Sequence, residues 1–326
     1  METKQGKSKK MAQKIPFPTT VLEFQQWFSD EKACIDYLYQ SRWPEGFVCP
    51  KCGFRGRPYN IEAYRRIECT GCKHQTSVTA GTVMHVTRIP LQVWFNGAYL
   101  MTTHTPGFSA LQFQRQLGIK TYETAFQMLH KLRSAMVRPD RDRIHGDVEV
   151  DETFIGAKKQ DKRGRGAAGK VMVVGAVEVL AGRGREQKER VGRLRLQVVA
   201  DGSAASLVGF VVNNVEVGSV VKTDGFISYD GLAEKGYIYE VVETHKLEHI
   251  HKTFGNLKTW LEGTHHGVSK KHMQAYVNEF VFRHNRMRTP MAAFQTILGL
   301  ATRTEGLTYE ELYAAGQKGK WRRPNS

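Results

Sequence analysis

Cys49-Pro-Lys-Cys52 and Cys69-Thr-Gly-Cys72, which stand sixteen residues apart, decide the fold of the N-terminal part of the chain. Two CxxC pairs at this spacing are typical of a zinc ribbon, in which a short hairpin brings four thiolates around one Zn²⁺ ion. Gly53 and Gly71 are predicted to supply the positive φ that the two tight turns need. A shell of four cysteines leaves no open position on the metal. The predicted zinc is therefore structural, and any catalysis must lie elsewhere.

The bulk composition narrows the class of protein. A chain of 326 residues has room for two or three domains, and a hydrophobic fraction of 40% is enough for ordinary cores. No apolar run reaches the roughly eighteen residues of a membrane span, and no apolar segment follows the basic N-terminus, so neither a membrane nor a secreted protein is expected. Four of the five cysteines are assigned to zinc, which fits a reducing cytoplasm.

The net charge of +16 points to a polyanionic partner. Lysine and arginine that neutralise phosphates release counterions, which is the main source of affinity for DNA. A basic protein without a partner and an anionic membrane surface are the alternatives, but no basic amphipathic helix stands out for the membrane. Together with the ribbon, the charge favours double-stranded DNA.

The residues that follow the ribbon have the pattern of a helix-turn-helix. A helix is predicted at Ser109–Leu117, then a three-residue turn that contains glycine, and then a helix that begins at Thr121 and ends near Val137. Lys131 and Arg133 on the second helix are candidates for contact with DNA, as is His130. An ordinary helical hairpin fits the pattern alone about equally well. The neighbouring ribbon and the charge favour the DNA-binding interpretation.

From Asp147 onward the pattern changes to β. Asp147–Phe154 alternates polar and apolar residues, and Val171–Leu180 is a nearly continuous apolar run, typical of a central strand covered on both faces. A helix is predicted at Ser203–Val212 and further strands at Arg193–Val199, Val220–Asp224 and Tyr237–Glu243, before a long helical region. This order of strands and helices is that of a ribonuclease H-like α/β domain.

These patterns predict a multidomain α/β protein. The expected divisions are a disordered basic tail (1–15), a helical lead-in and zinc ribbon (16–80), a helix-turn-helix-like DNA-binding region (81–145), a ribonuclease H-like domain (146–290) and a C-terminal extension with a basic tail (291–326). The glycine-rich segment between the first two large strands is a basic loop. It is either a solvated turn or a contact with the DNA backbone, for which the candidates are Lys158, Lys159, Arg163 and Arg165.

Two aspartates are placed to form a catalytic metal site. Asp151 lies on the first large strand, on the face that Glu149 shares and that Val148 and Val150 avoid. Asp224 ends the fourth strand, which the proposed order places beside the first. Two facing carboxylates repel each other unless a divalent cation lies between them, and Mg²⁺ or Mn²⁺ prefers such oxygen ligands. A single aspartate at a strand end more often caps a turn, but the pair predicts a metal site, with two ions expected, for in-line displacement at phosphorus.

Four stretches carry a resemblance to a known family: Cys49-Pro-Lys-Cys-Gly53, Val150-Asp-Glu-Thr-Phe-Ile-Gly156, Thr223-Asp-Gly-Phe-Ile-Ser-Tyr-Asp-Gly-Leu232, and Gly263-Thr-His-His-Gly-Val-Ser-Lys-Lys-His272 with Asn278–Arg286. Over residues 20–290 the chain resembles the DDE-type transposases of bacterial insertion sequences, in the branch that joins a zinc ribbon to a short ribonuclease H-like (ISXO-type) domain. The resemblance implies cleavage at the ends of the element and attack of the freed 3′-hydroxyl on target DNA. Asp151 and Asp224 match the first two catalytic acids.

The third catalytic position is where the sequence departs from this family. The family usually has Glu or Asn at the start of the helix after the fifth strand, with a basic residue seven positions later. Counting back from Lys258 leads to His251, and seven residues place both on one helix face. Glu248, one turn earlier, is the chemically ordinary alternative. A neutral imidazole binds divalent metals but favours softer ions than Mg²⁺.

Three functions are compatible with these features. The first is a transposase that binds terminal inverted repeats, cuts DNA and joins it to a target, working as a homo-oligomer on the DNA. The second is a non-enzymatic DNA-binding regulator or an inactive relic. The third is a ribonuclease H-like nuclease that cuts without joining. The resemblance favours the first.

Overall fold

The computed structural model describes residues 15–61, 66–138, 141–156, 170–182 and 188–313. The predicted disordered tail falls almost wholly outside these residues, as do the C-terminal basic tail and the basic loop with Lys158, Lys159, Arg163 and Arg165. No helix within the described ranges has the length and apolar character to cross a membrane.

Two short helices lead into the ribbon. They are α1 (Val21–Trp27) and α2 (Glu31–Arg42). The side chain of Asp30 accepts a hydrogen bond from the Ala33 amide and so caps the start of α2. The ribbon itself is an antiparallel sheet of β1 (Tyr59–Ile61), β2 (Arg66–Glu68) and β3 (Gln75–Thr76), in that order. The β2–β3 hairpin is short, with strands of three and two residues, and β1 pairs with the other edge of β2.

Three helices follow the ribbon. They are α3 (Leu91–Thr103), α4 (Ala110–Leu117) and α5 (Tyr122–Ala135). The side chains of Ser109 and Thr121 cap α4 and α5, and Gly118 ends α4 with a left-handed φ of 62°. The helix, glycine turn and capped second helix therefore lie at the positions that the sequence predicts.

The C-terminal part of the chain completes the core of the N-terminal part. Helix α9 (Pro290–Ala301) packs against α3, and its Phe294 ring contacts Phe24, Phe28 and Phe95. One hydrophobic cluster runs from α1 through the buried cysteines of the ribbon to α5 and α9. This cluster contains residues on both sides of the expected divisions at 80 and 290, which stay a prediction.

A five-stranded mixed sheet forms the second core. Its strands are β4 (Asp147–Ile155), β5 (Val171–Leu180), β6 (Arg190–Val199), β7 (Val220–Thr223) and β8 (Ile238–Val241), in the spatial order β6-β5-β4-β7-β8. β7 is parallel to β4 and β8, whereas β5 is antiparallel to both of its neighbours. The predicted ribonuclease H-like α/β order is confirmed, and the first and fourth strands are neighbours.

Helices cover both faces of this sheet. Val148 and Val150 of β4 face α6 (Ala204–Asn214) in one apolar cluster. On the other face, α7 (Glu248–His265) and α8 (Met273–His284) pack on a second cluster that includes Val173 and Leu196. Glu149 and Asp151 alternate with the two valines and point toward α7. A short helix, α10 (Tyr309–Tyr313), is the last described element.

Candidate active site and zinc ribbon

The four cysteines of the ribbon converge as their spacing predicts. Sγ of Cys49 lies 3.7 Å from Sγ of Cys72, and Sγ of Cys52 lies 3.8 Å from Sγ of Cys69. Four sulfurs at the usual Zn–S distance of about 2.3 Å on a tetrahedron stand about 3.8 Å apart, so the set has the size that Zn²⁺ requires. The cysteines therefore form the donor set of a closed, structural zinc site.

Each cysteine pair lies in a tight turn. The amide of Gly53 donates to the carbonyl of Cys49, and the amide of Lys73 donates to the carbonyl of Cys69. Gly53 has the predicted positive φ, 71°, but in the second turn the positive φ of 59° belongs to Lys73. The prediction for Gly71 was therefore wrong, because the position that needs positive φ is the one after the second cysteine of each pair.

Gly71 lies against an aromatic ring instead. A Cβ at this position would lie 3.1 Å from the ring of Phe54, and one at Gly56 would lie 2.7 Å from the same ring. The two glycines thus make room for an aromatic ring that remains partly exposed on the ribbon.

The pairing of β4 with β7 brings Asp151 and Asp224 together. Asp147 is opposite Val220 and Glu149 is opposite Lys222, and the same register continued by two residues places Asp151 opposite Asp224. Asp224 directly follows β7, where Gly225 turns the chain with a φ of 80°. The parallel pairing of β4 with β7 is the neighbouring arrangement of these strands that the sequence predicts.

Asp151 is a partly buried carboxylate. Its side chain is 13% exposed, and Oδ1 accepts a hydrogen bond of 2.8 Å from the Glu152 amide. Burial raises the pKa of Asp151 above its ordinary value, and the negative charge of Asp224 raises it further, while the contacts with Glu152 and His251 act in the opposite direction. A neighbouring cation would relieve the cost of holding this charge.

Of the two candidates for the third position, His251 contacts one of the aspartates, Asp151. Its Nε2 lies 2.9 Å from Oδ2 of Asp151, with the ring 36% exposed in the first turn of α7. Glu248 begins the same helix but is exposed, and in the part of the chain that the structure describes no hydrogen bond or ion pair joins it to either aspartate. Lys258 is exposed two turns along α7. The geometry favours His251.

These residues have a donor set that fits a divalent cation. In octahedral coordination with metal–ligand distances of about 2.1 Å, two adjacent ligand atoms stand about 3 Å apart. This is close to the 2.9 Å between Nε2 of His251 and Oδ2 of Asp151. Among the described residues, however, only the four cysteines bring ligand atoms of three or more residues within 4.8 Å of one another. No carboxylate oxygen of Asp224 therefore lies within 4.8 Å of both the Asp151 and the His251 ligand atoms, so the three residues do not form a closed site.

Comparison of this chain with models of known protein families identifies the family to which it belongs. Residues 143–285 match the ISXO2-like transposase domain, and residues 29–75 match the transposase zinc-ribbon domain. The two matches together cover more than half of the chain and include Asp151, Asp224 and all four cysteines. The chain belongs to the ISXO2-like transposases. It is also 27% identical over 305 residues to an uncharacterized protein in the transposable element ISH50 of Halobacterium salinarum, with 84% of this chain and 98% of the relative covered.

Arg133 does not lie where the transposase could use it to contact DNA. Its side chain is 1% exposed, its Nε donates to Oε2 of Glu279 at 2.8 Å, and its guanidinium lies 3.9 Å from the ring centre of Tyr276. His130 is buried as well. These two DNA-binding predictions were wrong, because this side of α5 packs against α8. Lys131 is only half-buried and remains a candidate.

A second set of contacts holds the loop between α3 and α4 against helices α7 and α8. Trp260 Nε1 and Thr264 Oγ1 of α7 donate to the Pro106 carbonyl, at 3.1 and 2.7 Å, in the loop between α3 and α4. Arg283 of α8 donates to the carbonyls of His104 and Thr105 in the same loop. The helix that carries His251 is therefore joined directly to the predicted DNA-binding helices.

Replacing Arg133 with methionine is expected to lower the free energy of unfolding by about 3 kcal/mol, because the buried Glu279 carboxylate loses its close partner. Urea denaturation measures this change. Lys131→Met on the same helix is the matched control and should change stability by about 0.5 kcal/mol or less. Unchanged stability of the Arg133 variant, with a large loss of DNA affinity, would contradict the structural role.

Proposed function

We propose that this transposase binds the terminal inverted repeats of an insertion sequence, cleaves DNA there, and joins the freed 3′ end to target DNA. The observation that carries the proposal is the contact of His251 with Asp151, on the strand that pairs with β7, which Asp224 directly follows, in a domain that matches a transposase family. Lys258, exposed on the same helix as His251, is proposed to contact the phosphate backbone near the site.

The residues of the site are proposed to hold one or two divalent cations. Asp151, Asp224 and His251 would bind Mg²⁺ or Mn²⁺, which when bound supplies charge neutralisation to an in-line displacement at phosphorus. In cleavage, a water oxygen bonds to phosphorus as the phosphorus–O3′ bond breaks. In joining, the freed O3′ attacks a phosphodiester of the target, and a target O3′ leaves. Asp151 contributes a carboxylate whose partly buried charge favours a cation beside it.

The N-terminal half is proposed to hold the terminal repeat. Among its described residues, the ribbon exposes two aromatic rings, Phe54 and Tyr59, and five cations: Lys51, Arg55, Arg57, Arg66 and Lys73. Lys73 Nζ lies 5.2 Å from the ring centre of Tyr59. Cations on a rigid ribbon are suited to phosphate contacts, and they add to the overall charge that favours DNA. Lys131 and the basic loop remain proposed backbone contacts, and two protomers holding two DNA ends are the proposed assembly.

A joining assay tests the proposed function. The full-length, zinc-loaded protein is incubated with DNA that carries a labelled end of its own element, a supercoiled target plasmid and Mg²⁺ or Mn²⁺. Labelled plasmid is the expected product. Cleavage without labelled plasmid would identify a nuclease, and binding without cleavage would identify a regulator or a relic. Either result would overturn the proposal.

The third ligand gives a separate prediction. His251→Ala is expected to reduce cleavage by about a hundredfold or more, because it removes a proposed metal ligand, whereas Glu248→Ala should reduce cleavage by no more than about twofold. Single-turnover cleavage of the labelled repeat measures both. If Glu248→Ala lost more cleavage activity than His251→Ala, Glu248 and not His251 would be the third metal ligand.

A further inference from the structure

A second carboxylate, two residues before Asp151 on β4, contacts the same helix. Glu149 is 4% exposed, and its Oε1 lies 2.7 Å from Nδ1 of His249. Its Oε2 accepts a hydrogen bond of 2.8 Å from the amide of Ile250. One side chain of the strand therefore binds both a side chain and the backbone in the first turn of α7.

The start of α7 depends on this contact. The first amides of a helix have no partner within the helix, and the N-cap residue here, Leu247, makes no side-chain hydrogen bond. Glu149 supplies the missing acceptor from another element, and the helix dipole favours a negative charge at this end. The buried side chains of Leu247 and Ile250 stabilise the packing of α7 on the sheet. Apolar contacts are not directional, so they do not by themselves set the exact position of the first turn. The carboxylate fixes the position of the first turn.

Two parallel contacts thus join β4 to α7. Glu149 contacts His249, and two residues further along both the strand and the helix, Asp151 contacts His251. The first pair is the more deeply buried, with Glu149 5% and His249 17% exposed in their side chains, against 13% and 36% for the second pair. The buried Glu149–His249 pair is suited to fixing the first turn of α7. The more exposed Asp151–His251 pair is accessible to a cation and to DNA.

We propose that Glu149, with His249, is a positioning residue that holds His251 at the distance from Asp151 at which both bind one cation. The proposal rests on the proposed function of Asp151 and His251. Loss of the Glu149 carboxylate would free the first turn of α7 to shift, and the imidazole of His251 would no longer be fixed beside Asp151. Loss of such supporting contacts typically weakens metal binding by 10- to 100-fold.

The test measures Mn²⁺ binding by electron paramagnetic resonance on the zinc-loaded, full-length protein, beside cleavage and DNA affinity. Glu149→Ala is expected to weaken Mn²⁺ binding and to lower kcat, each by about tenfold or more, with the Kd for DNA unchanged. Glu149→Gln keeps an acceptor for the Ile250 amide and is expected to recover part of the loss. The matched control is Glu178→Ala, which removes a buried carboxylate that binds Arg193 instead. It should leave Mn²⁺ binding unchanged.

A double-variant cycle distinguishes positioning from general destabilisation. In a His251→Ala background, Glu149→Ala should weaken Mn²⁺ binding no further, because its effect passes through His251. An equal effect in both backgrounds would overturn the proposal, as would wild-type Mn²⁺ affinity in Glu149→Ala or an equal loss in Glu178→Ala. If Glu149→Ala does not fold, Glu149→Gln and His249→Ala are measured in the same cycle. Mn²⁺ binding is measured without DNA. The effect of the Glu149 variants on it can therefore be interpreted even if the joining assay fails.

Discussion

Asp151→Asn or Asp224→Asn is expected to lower metal-dependent DNA cleavage by about a thousandfold or more, because each change removes a charged ligand from the proposed cation site. Asparagine keeps the size of the side chain and an acceptor for the Glu152 amide. DNA affinity should therefore stay near that of the wild type. Single-turnover cleavage of labelled repeat DNA in Mg²⁺ measures the rate, and a filter-binding assay without divalent metal measures the affinity.

The melting temperature of Asp151→Asn tests the role of this carboxylate independently of cleavage. The pKa of Asp151 is raised in the folded protein, so at neutral pH its ionised form costs stability in the absence of a cation. Asn removes this cost, and the melting temperature without divalent metal should equal or exceed that of the wild type. Asp147→Asn, on the same face of the same strand but exposed, is the control and should change cleavage by no more than about twofold. Full cleavage by the Asp151 variant would disprove its role.

Loss of zinc is the second change expected to have a large effect. Structural zinc contributes an apparent 10–16 kcal/mol in small zinc-binding peptides, which is as much as the whole stability of many domains. Cys52→Ser should therefore unfold the ribbon and lower DNA affinity strongly. Cys49 and Cys69 are buried in the same cluster as α1, α3 and α9, so the melting temperature of the helical core should fall as well.

Metal content and heteronuclear NMR spectra measure this effect. The wild type should bind one zinc per chain, and the ribbon amides of Cys52→Ser should lose their dispersed shifts while those of the β4–β8 sheet stay in place. Cys34→Ala is the control, because Cys34 is a buried thiol in α2 and no zinc ligand. Retention of a folded ribbon in Cys52→Ser would show that zinc is not needed for the fold.

The parts of the molecule that follow from local pattern could be predicted. The alternation around Asp151 fixed which side chains share its face, and the strand order placed Asp224 beside it. The seven-residue spacing from Lys258 indicated His251, which contacts Asp151. That these residues are catalytic is still a prediction. Cysteine spacing predicted the zinc site because its four ligands come from two short turns.

The parts that depend on distant partners could not be predicted. Nothing near Arg133 indicates that it is buried, because its partner Glu279 lies 146 residues away. The contacts of Glu149 with α7 span about a hundred residues and have no local signal beyond the face that it shares with Asp151. In the second turn of the ribbon, Lys73 and not Gly71 has the positive φ. The residue type gave no signal for this, because a non-glycine residue with positive φ is uncommon.

The position of α9 has a consequence for how the chain folds as it leaves the ribosome. Phe24, Phe28 and Phe95 are translated early, but the Phe294 ring that packs against them comes near the end of the chain. The roughly 150 residues between α5 and α9 take on the order of 10–30 s to synthesise at bacterial rates. During this interval the strands β4–β8 are synthesised, while Phe24, Phe28 and Phe95 lack the cover that Phe294 supplies. We therefore expect the nascent chain to expose an apolar surface, of the kind that chaperones bind, until α9 emerges.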